Sequence, residues 1–289
     1  MRPARILIIA GSDSGGGAGI QADIKTVTML GGHAMTAITA ITAQNTLGVQ
    51  AVHPVPTEMV LAQIDSVIGD IGVDAVKIGM IGSATTATAV ADRLAALAGV
   101  PIVFDPVMVA TSGSMLADAG TIAAFERLMA LATLVTPNKP EMEALAGHVF
   151  DDEVGQAQAA ETIMIRTGCK ALLAKGGHFI MAGETQGTAV DGQPFHYVNA
   201  DRVFDMLYQL DAAGWGERFW DSPRINTVHT HGTGCTLASA IATGLGKGIT
   251  IENAIERARA YVHAAILCAP GLGGGHGPMG VPLGFADHA

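Results

Sequence analysis

The sequence predicts an α/β protein with a mostly parallel sheet, and two patterns carry that expectation. Short apolar runs alternate with amphipathic helical stretches along the chain, as in successive βαβ units. Several of those runs end in polar or glycine-rich residues, where open α/β sheets collect their ligands. The composition is compatible: 289 residues, 49% hydrophobic, with 37 glycines spread along the chain. That length suits one large α/β domain or two small ones.

In order, strands are expected at residues 5–11, 36–43, 74–80, 101–108, 134–137 and 169–175. Amphipathic periodicity predicts helices at 57–69, 85–98 and 118–131, then a pair at 140–146 and 153–166. Two final helices, 235–244 and 251–268, are separated by a glycine break at 244–248. One stretch interrupts this rhythm. Residues 179–222 hold both tryptophans, two of the three tyrosines and four of the eight phenylalanines. They read as a β-hairpin insertion with a small satellite core, or as a flap or subunit contact.

Charge and cysteine usage exclude several functions. The formal net charge is −10, which argues against a broad surface for nucleic acid or anionic membrane. An anionic ligand must then be met locally, by backbone donors, a few Lys or Arg, and a metal. Cys169, Cys235 and Cys268 form no CxxC pair, as expected of a reduced cytoplasmic protein. No apolar run approaches the 18 residues of a membrane span.

Two glycine loops stand out. The first follows residues 6–10 and contains Gly11, Gly15, Gly16, Gly17 and Gly19. It is no P-loop, because Lys25-Thr26 follows Ile24, six residues beyond Gly19. Residues 17–22 fit G-x-G-x-x-A, but the strand-closing glycine is displaced and no ribose carboxylate follows at the expected distance. Asp13 and Asp23 would also repel a pyrophosphate, so this loop is assigned to an uncharged substrate. The second loop is His229-Thr230-His231-Gly232-Thr233-Gly234-Cys235, opening a helix. Its glycines let successive N–H groups converge on an anion, and the helix dipole adds to them. Cys235 in the first turn is expected as thiolate, able to take a proton from a hydroxyl. His229, His231 and His276 lack a further partner at zinc spacing, so no zinc site is expected.

Seven segments in order carry a resemblance: 10–26 (AGSDSGGGAGIQADIKT), 39–49 (TAITAQNTLGV), 76–82 (VKIGMIG), 103–108 (VFDPVM), 136–141 (TPNKPE), 175–178 (KGGH) and 229–242 (HTHGTGCTLASAIA). With them the chain resembles the ribokinase-like family, and within it the hydroxymethylpyrimidine and phosphomethylpyrimidine kinases of thiamine biosynthesis. The likeness runs from Ile6 to about Gly277. It departs at His229, where Asn is usual, and at 179–222, which is longer and more aromatic.

The resemblance implies a three-layer α/β/α fold in a single domain over 1–289, with the 179–222 insertion. It implies ATP and Mg²⁺ as cofactors, a small pyrimidine substrate and a homodimer, with no nucleic-acid or membrane partner. By the same resemblance, Asp23 and Gln44 would hydrogen-bond the aminopyrimidine, and Gly11, Ala18, Met80 and Val107 would line the ring pocket. Asn138 and Glu141 would position Mg²⁺ and phosphate. Apart from the resemblance, Asp105 between Phe104 and Pro106 reads as a turn starter or as a carboxylate that organises metal-bound water. Lys175 and Thr230 would meet the ATP phosphates, Gly232, Thr233 and Gly234 would form the anion hole, and Cys235 would be the base. The alternatives are a pyridoxal or pyridoxine kinase on the same fold, a non-catalytic pyrimidine-binding protein, and a Rossmann dehydrogenase, which the displaced fingerprint weakens.

Overall fold

The computed structural model describes residues 2–108, 116–178, 184–188, 194–198, 201–211 and 214–280. In chain order the elements are β1 (Ala4–Asp13), α1 (Gly19–Met29), β2 (Gly32–Asn45), β3 (Gly48–Pro54), α2 (Thr57–Asp70), β4 (Ala75–Ile78), α3 (Ala84–Leu94), β5 (Ile102–Phe104), α4 (Ala119–Leu131), β6 (Leu134–Val135), α5 (Lys139–Ala146) and α6 (Glu153–Thr167). They continue with β7 (Ala171–Ala174), β8 (Glu184–Thr188), β9 (Pro194–Val198), β10 (Arg202–Asp211), β11 (Gly214–Pro223), α7 (Thr233–Gly246) and α8 (Ile251–Leu267).

The chain divides into two compact units. The first takes the residues up to Val135 and those from Thr227 onward. Its strands lie in the order β6-β5-β4-β1-β2-β3, all parallel except the outer β3, which runs antiparallel to β2. From Ile6 to Ala10 no residue of β1 is more than 1% exposed, so both faces of the sheet are covered. α1, α7 and α8 pack together as one helical group, and α2, α3 and α4 as another. This is the mostly parallel α/β arrangement the alternation predicts.

The second unit, Thr136–Asn226, holds α5, α6 and an antiparallel set in the order β7-β10-β11. β8 and β9 form a separate hairpin. The aromatic stretch therefore supplies two hairpins, of which β10–β11 extends from β7. Tyr208 on β10 is buried, packs at 5.7 Å on Trp215 and donates to Gln156. Residues 179–183, 189–193, 199–200 and 212–213 of that stretch lie outside the described residues.

The expected strands at 101–108 and 134–137 are shorter in the structure, ending at Phe104 and Val135. Pro106 and Pro137 lie just beyond those ends and have no N–H to continue a ladder. β3 is an addition, with residues 50–54 all exposed and hence no apolar alternation to reveal it.

Candidate functional site

In the first unit, β1 delivers Asp13 into the N-terminal glycine loop. Its carboxylate accepts hydrogen bonds from the N–H groups of Gly15 at 2.8 Å, Gly17 at 3.0 Å and Ala18 at 2.8 Å. His231 Nε2 lies 2.9 Å from the same carboxylate. Burial works to raise the Asp13 pKa, but these donors outweigh it and hold the group below its ordinary value. Asp13 is thus the organiser of the loop.

The two glycine loops interlock at that point. A Cβ on Gly17 would stand 2.5 Å from His231 Cδ2, and one on Gly232 would stand 1.9 Å from the Gly17 carbonyl oxygen. Gly232 also has φ of +86°, a left-handed conformation that disfavours other residues. Both positions therefore require glycine. The contact joins the substrate-assigned loop to the anion loop, residues more than 200 apart in sequence.

Of the residues expected around the ring, Ala18 and Gln44 reach this junction and Met80 packs on Gly11. The Met80 methyl lies over Gly11, 2.8 Å from where a Cβ would stand, and Thr39 donates to the Met80 carbonyl at 2.6 Å. Gln44 is half-buried, with its backbone N–H and carbonyl both bonded to Ser14 Oγ at 2.8 Å. Its side-chain amide lies 3.1 Å from His231 Nε2 and 3.3 Å from Thr42 Oγ1. Ala18 is the N-cap of α1, and Val107 is half-buried just after Asp105-Pro106.

Asp23 lies deeper. It is fully buried on α1, where it takes two hydrogen bonds from Lys77 at 2.8 and 3.0 Å and one from Ser239 at 2.7 Å. Lys77 on β4 is equally buried. Burial disfavours its ammonium, but Asp23, Cys235 and Asp105 together raise its pKa above the ordinary lysine value. Removing one partner of such a pair strands a buried charge, at a cost of about 3–5 kcal/mol. Ser239 follows Cys235 by four residues on α7, so both lie on one helix face.

The expected thiolate at Cys235 is not the resting state. Burial pushes the Cys235 thiol up to about 11, with Lys77 lowering it and Asp23 and Asp105 raising it. A backbone hydrogen bond involving Gly19 also lowers it. The first-turn dipole argument alone omits the desolvation that dominates here. Asp105 is 1% exposed and belongs electrostatically to this cluster. Lys77 escaped the sequence reading, its one signal being a lone charge in the apolar run of β4.

In the second unit, Asn138, Glu141 and Lys175 come together. Asn138 caps α5 by accepting from the Glu141 N–H at 2.9 Å, while Glu141 accepts from the Asn138 N–H at 2.8 Å. Lys175 Nζ lies 3.6 Å from that carboxylate, and its backbone N–H donates to the Pro137 carbonyl at 2.9 Å. The N-x-x-E pattern is therefore a capping box with an ammonium beside its carboxylate. Among the described residues no group of three His, Cys, Asp or Glu side chains is arranged to hold a metal by itself.

Residues 13–280 match the family model described as phosphomethylpyrimidine kinase. A hydroxymethylpyrimidine/phosphomethylpyrimidine kinase of Rhizobium meliloti is 47% identical over 277 residues, covering 94% of this chain and 95% of that one. The thiamine biosynthesis bifunctional protein ThiED of Geobacter sulfurreducens is 47% identical over 283 residues, 98% of this chain. This chain spans about half of that relative's length, 53%. Among solved structures, an ADP complex of Bacillus subtilis pyridoxal kinase superposes with a TM-score of 0.80 at 30% identity, covering 96% of this chain and 97% of that one. The match over nearly all of the described core makes the chain a member of the phosphomethylpyrimidine kinase family, the phosphotransferases of thiamine biosynthesis.

Proposed function

We propose that the protein transfers the γ-phosphoryl group of ATP to 4-amino-5-hydroxymethyl-2-methylpyrimidine, and then phosphorylates the resulting monophosphate. The observation that carries this reading is the interlock of the two glycine loops, which joins Asp13 and Gln44 to the anion loop that opens α7. Gln44 reads the pyrimidine ring, and Gly11, Ala18, Met80 and Val107 enclose it. Asp23, the other residue assigned to the ring, is fully buried and engages Lys77 and Ser239. Gly232, Thr233 and Gly234 present backbone donors to the phosphoryl group as its charge develops. Lys175 in the second unit and Thr230 in the first are each assigned to ATP phosphates, and Cys235 accepts the hydroxymethyl proton in its minor thiolate form.

In the second unit the Glu141 carboxylate, held fixed by Asn138, is a hard oxygen donor of the kind Mg²⁺ takes. Glu141 would hold the ion directly or through its waters, and when bound the ion neutralises phosphate charge. As a separate proposal, for the first unit, Asp105 would organise metal-bound water. We further propose a cytoplasmic homodimer. No helix among the described residues is long and apolar enough to cross a membrane.

A pyridoxal-type substrate is the second reading, favoured by the likeness to the Bacillus subtilis pyridoxal kinase. Measurement of ADP release with each alcohol separates the two, and the higher kcat/KM is expected for the aminopyrimidine. The Gln44→Ala variant should weaken pyrimidine binding by roughly 1–3 kcal/mol and leave ATP affinity unchanged. Intact pyrimidine affinity with weakened ATP binding would reverse the assignment of the two loops.

A further inference from the structure

Asp13, His231, Gln44 and Thr42 form one buried or half-buried network whose hydrogen-bond chemistry has a single consistent solution. Asp13 already receives three backbone N–H groups, which keeps it an ionised, acceptor-only carboxylate. His231 Nε2, 2.9 Å away, must therefore carry a proton and donate it. A Gln44 nitrogen at 3.1 Å from that same Nε2 would set two N–H groups against each other. Turning the amide, whose two ends have nearly the same shape, puts Oε1 against Nε2–H and the NH₂ against Thr42 Oγ1. Thr42 is free to accept there because its own proton goes to the Ser12 carbonyl, at 2.9 Å.

We propose that His231 is a positioning residue that pins the Gln44 amide in one orientation and so sets the donor–acceptor polarity of the ring the acceptor site takes. Held at both ends, the amide presents its remaining lone pair and N–H in a fixed order. A 4-aminopyrimidine offers a ring-nitrogen acceptor beside an amino donor. The 4-oxo analogue in its lactam form reverses the two, so a pinned amide matches only one of them. This inference rests on the reading that Gln44 faces the acceptor ring.

The test measures dissociation constants of 5-hydroxymethyl-2-methylpyrimidine in its 4-amino and 4-oxo forms, and their ratio. That ratio is independent of the fraction of protein that is active. The wild type should favour the amino form by about tenfold or more. In His231→Phe, which keeps the ring but loses the N–H, the preference should fall to within about threefold, because both amide orientations become open. His231→Gln, which returns an N–H near the Nε2 position, should restore it. Gln44→Ala is the control for the underlying reading. If it keeps the wild-type ratio, Gln44 does not face the ring and both statements fall. If it loses the ratio while His231→Phe keeps it, Gln44 stands and the role of His231 is overturned. Nitrogen-15 spectra of the wild type add a test that needs no variant: His231 Nε2 must be protonated, and an unprotonated Nε2 overturns the inference.

Discussion

Cys235 shows how burial and local charge compete at a single residue. The helix start favours thiolate, yet desolvation holds the group as a thiol with a pKa pushed up to about 11. Against that burial the Lys77 charge pulls it down, while Asp23 and Asp105 push it up. A base with so high a pKa is strong but scarce at neutral pH, since only the deprotonated form accepts a proton. The rate governed by Cys235 should therefore rise with pH, about tenfold per unit between pH 7 and 9, while the thiolate fraction grows. Cys235→Ala should lower kcat by about 10²–10⁴-fold, with ATP and pyrimidine still binding. Cys235→Asp should keep more activity than Ala and lose the alkaline rise, because a carboxylate is already ionised at pH 7. The check is kcat against pH for the three proteins. A flat wild-type profile with near-normal kcat in the alanine variant would leave Cys235 a packing residue and assign catalysis to the backbone donors and Lys175.

At the scale of elements, one local motif does two jobs. The N-x-x-E pattern of α5 serves as a reciprocal capping box, and the same carboxylate faces Lys175 at 3.6 Å. Asn138→Ala should therefore cost about 0.5–2 kcal/mol of stability, while Asn138→Asp, which can still accept from the Glu141 N–H, should lose less. Urea unfolding of both variants measures this, and equal losses would show that the cap is not what Asn138 contributes. Other elements explain what sequence alone conveys. β1 was legible because Ile6–Ala10 is apolar on both faces, as a central parallel strand must be. β3 was not, because its exposed residues show no apolar alternation. The glycine loops were legible as site-forming, but their partners were not. Asp23 finds Lys77 at a separation of 54 residues and Asp13 finds His231 at 218, so only the folded topology brings them together. Asp13, read as a charge that repels pyrophosphate, proves to be the acceptor that shapes the loop.

For the whole molecule, the net charge of −10 makes the location of each cation matter. In the first unit Lys77 is fully buried beside Asp23, and in the second Lys175 is half-buried beside Glu141, so each unit carries a fixed positive charge among its candidate residues. Arg5 instead serves the frame of the first unit. It donates through its backbone N–H at 2.8 Å and Nε at 2.9 Å to Asp74, and so ties the start of β1 to the segment entering β4. These hydrogen bonds from Arg5 hold the Asp74 carboxyl down at about 2, against an ordinary value of 3.8. The sign of the linkage follows. A group whose pKa is depressed by folding stabilises the native state above its unfolded pKa, and that contribution disappears as pH falls through the folded value. The pair should thus contribute fully at pH 5 and above, progressively less below about 4, and almost nothing near 2. Asp74→Asn removes the titrating group, so the stability gap between wild type and variant should be largest at pH 5–6 and close toward pH 2.5. Both tryptophans, Trp215 and Trp220, lie in the second unit, so their fluorescence follows that unit alone. Far-ultraviolet circular dichroism in urea, which sees the helices of the first unit, is the appropriate probe. A gap that stays constant from pH 6 to 2.5 would mean that the Arg5–Asp74 contact carries no protonation-linked stability and acts only as a neutral hydrogen-bonded clasp.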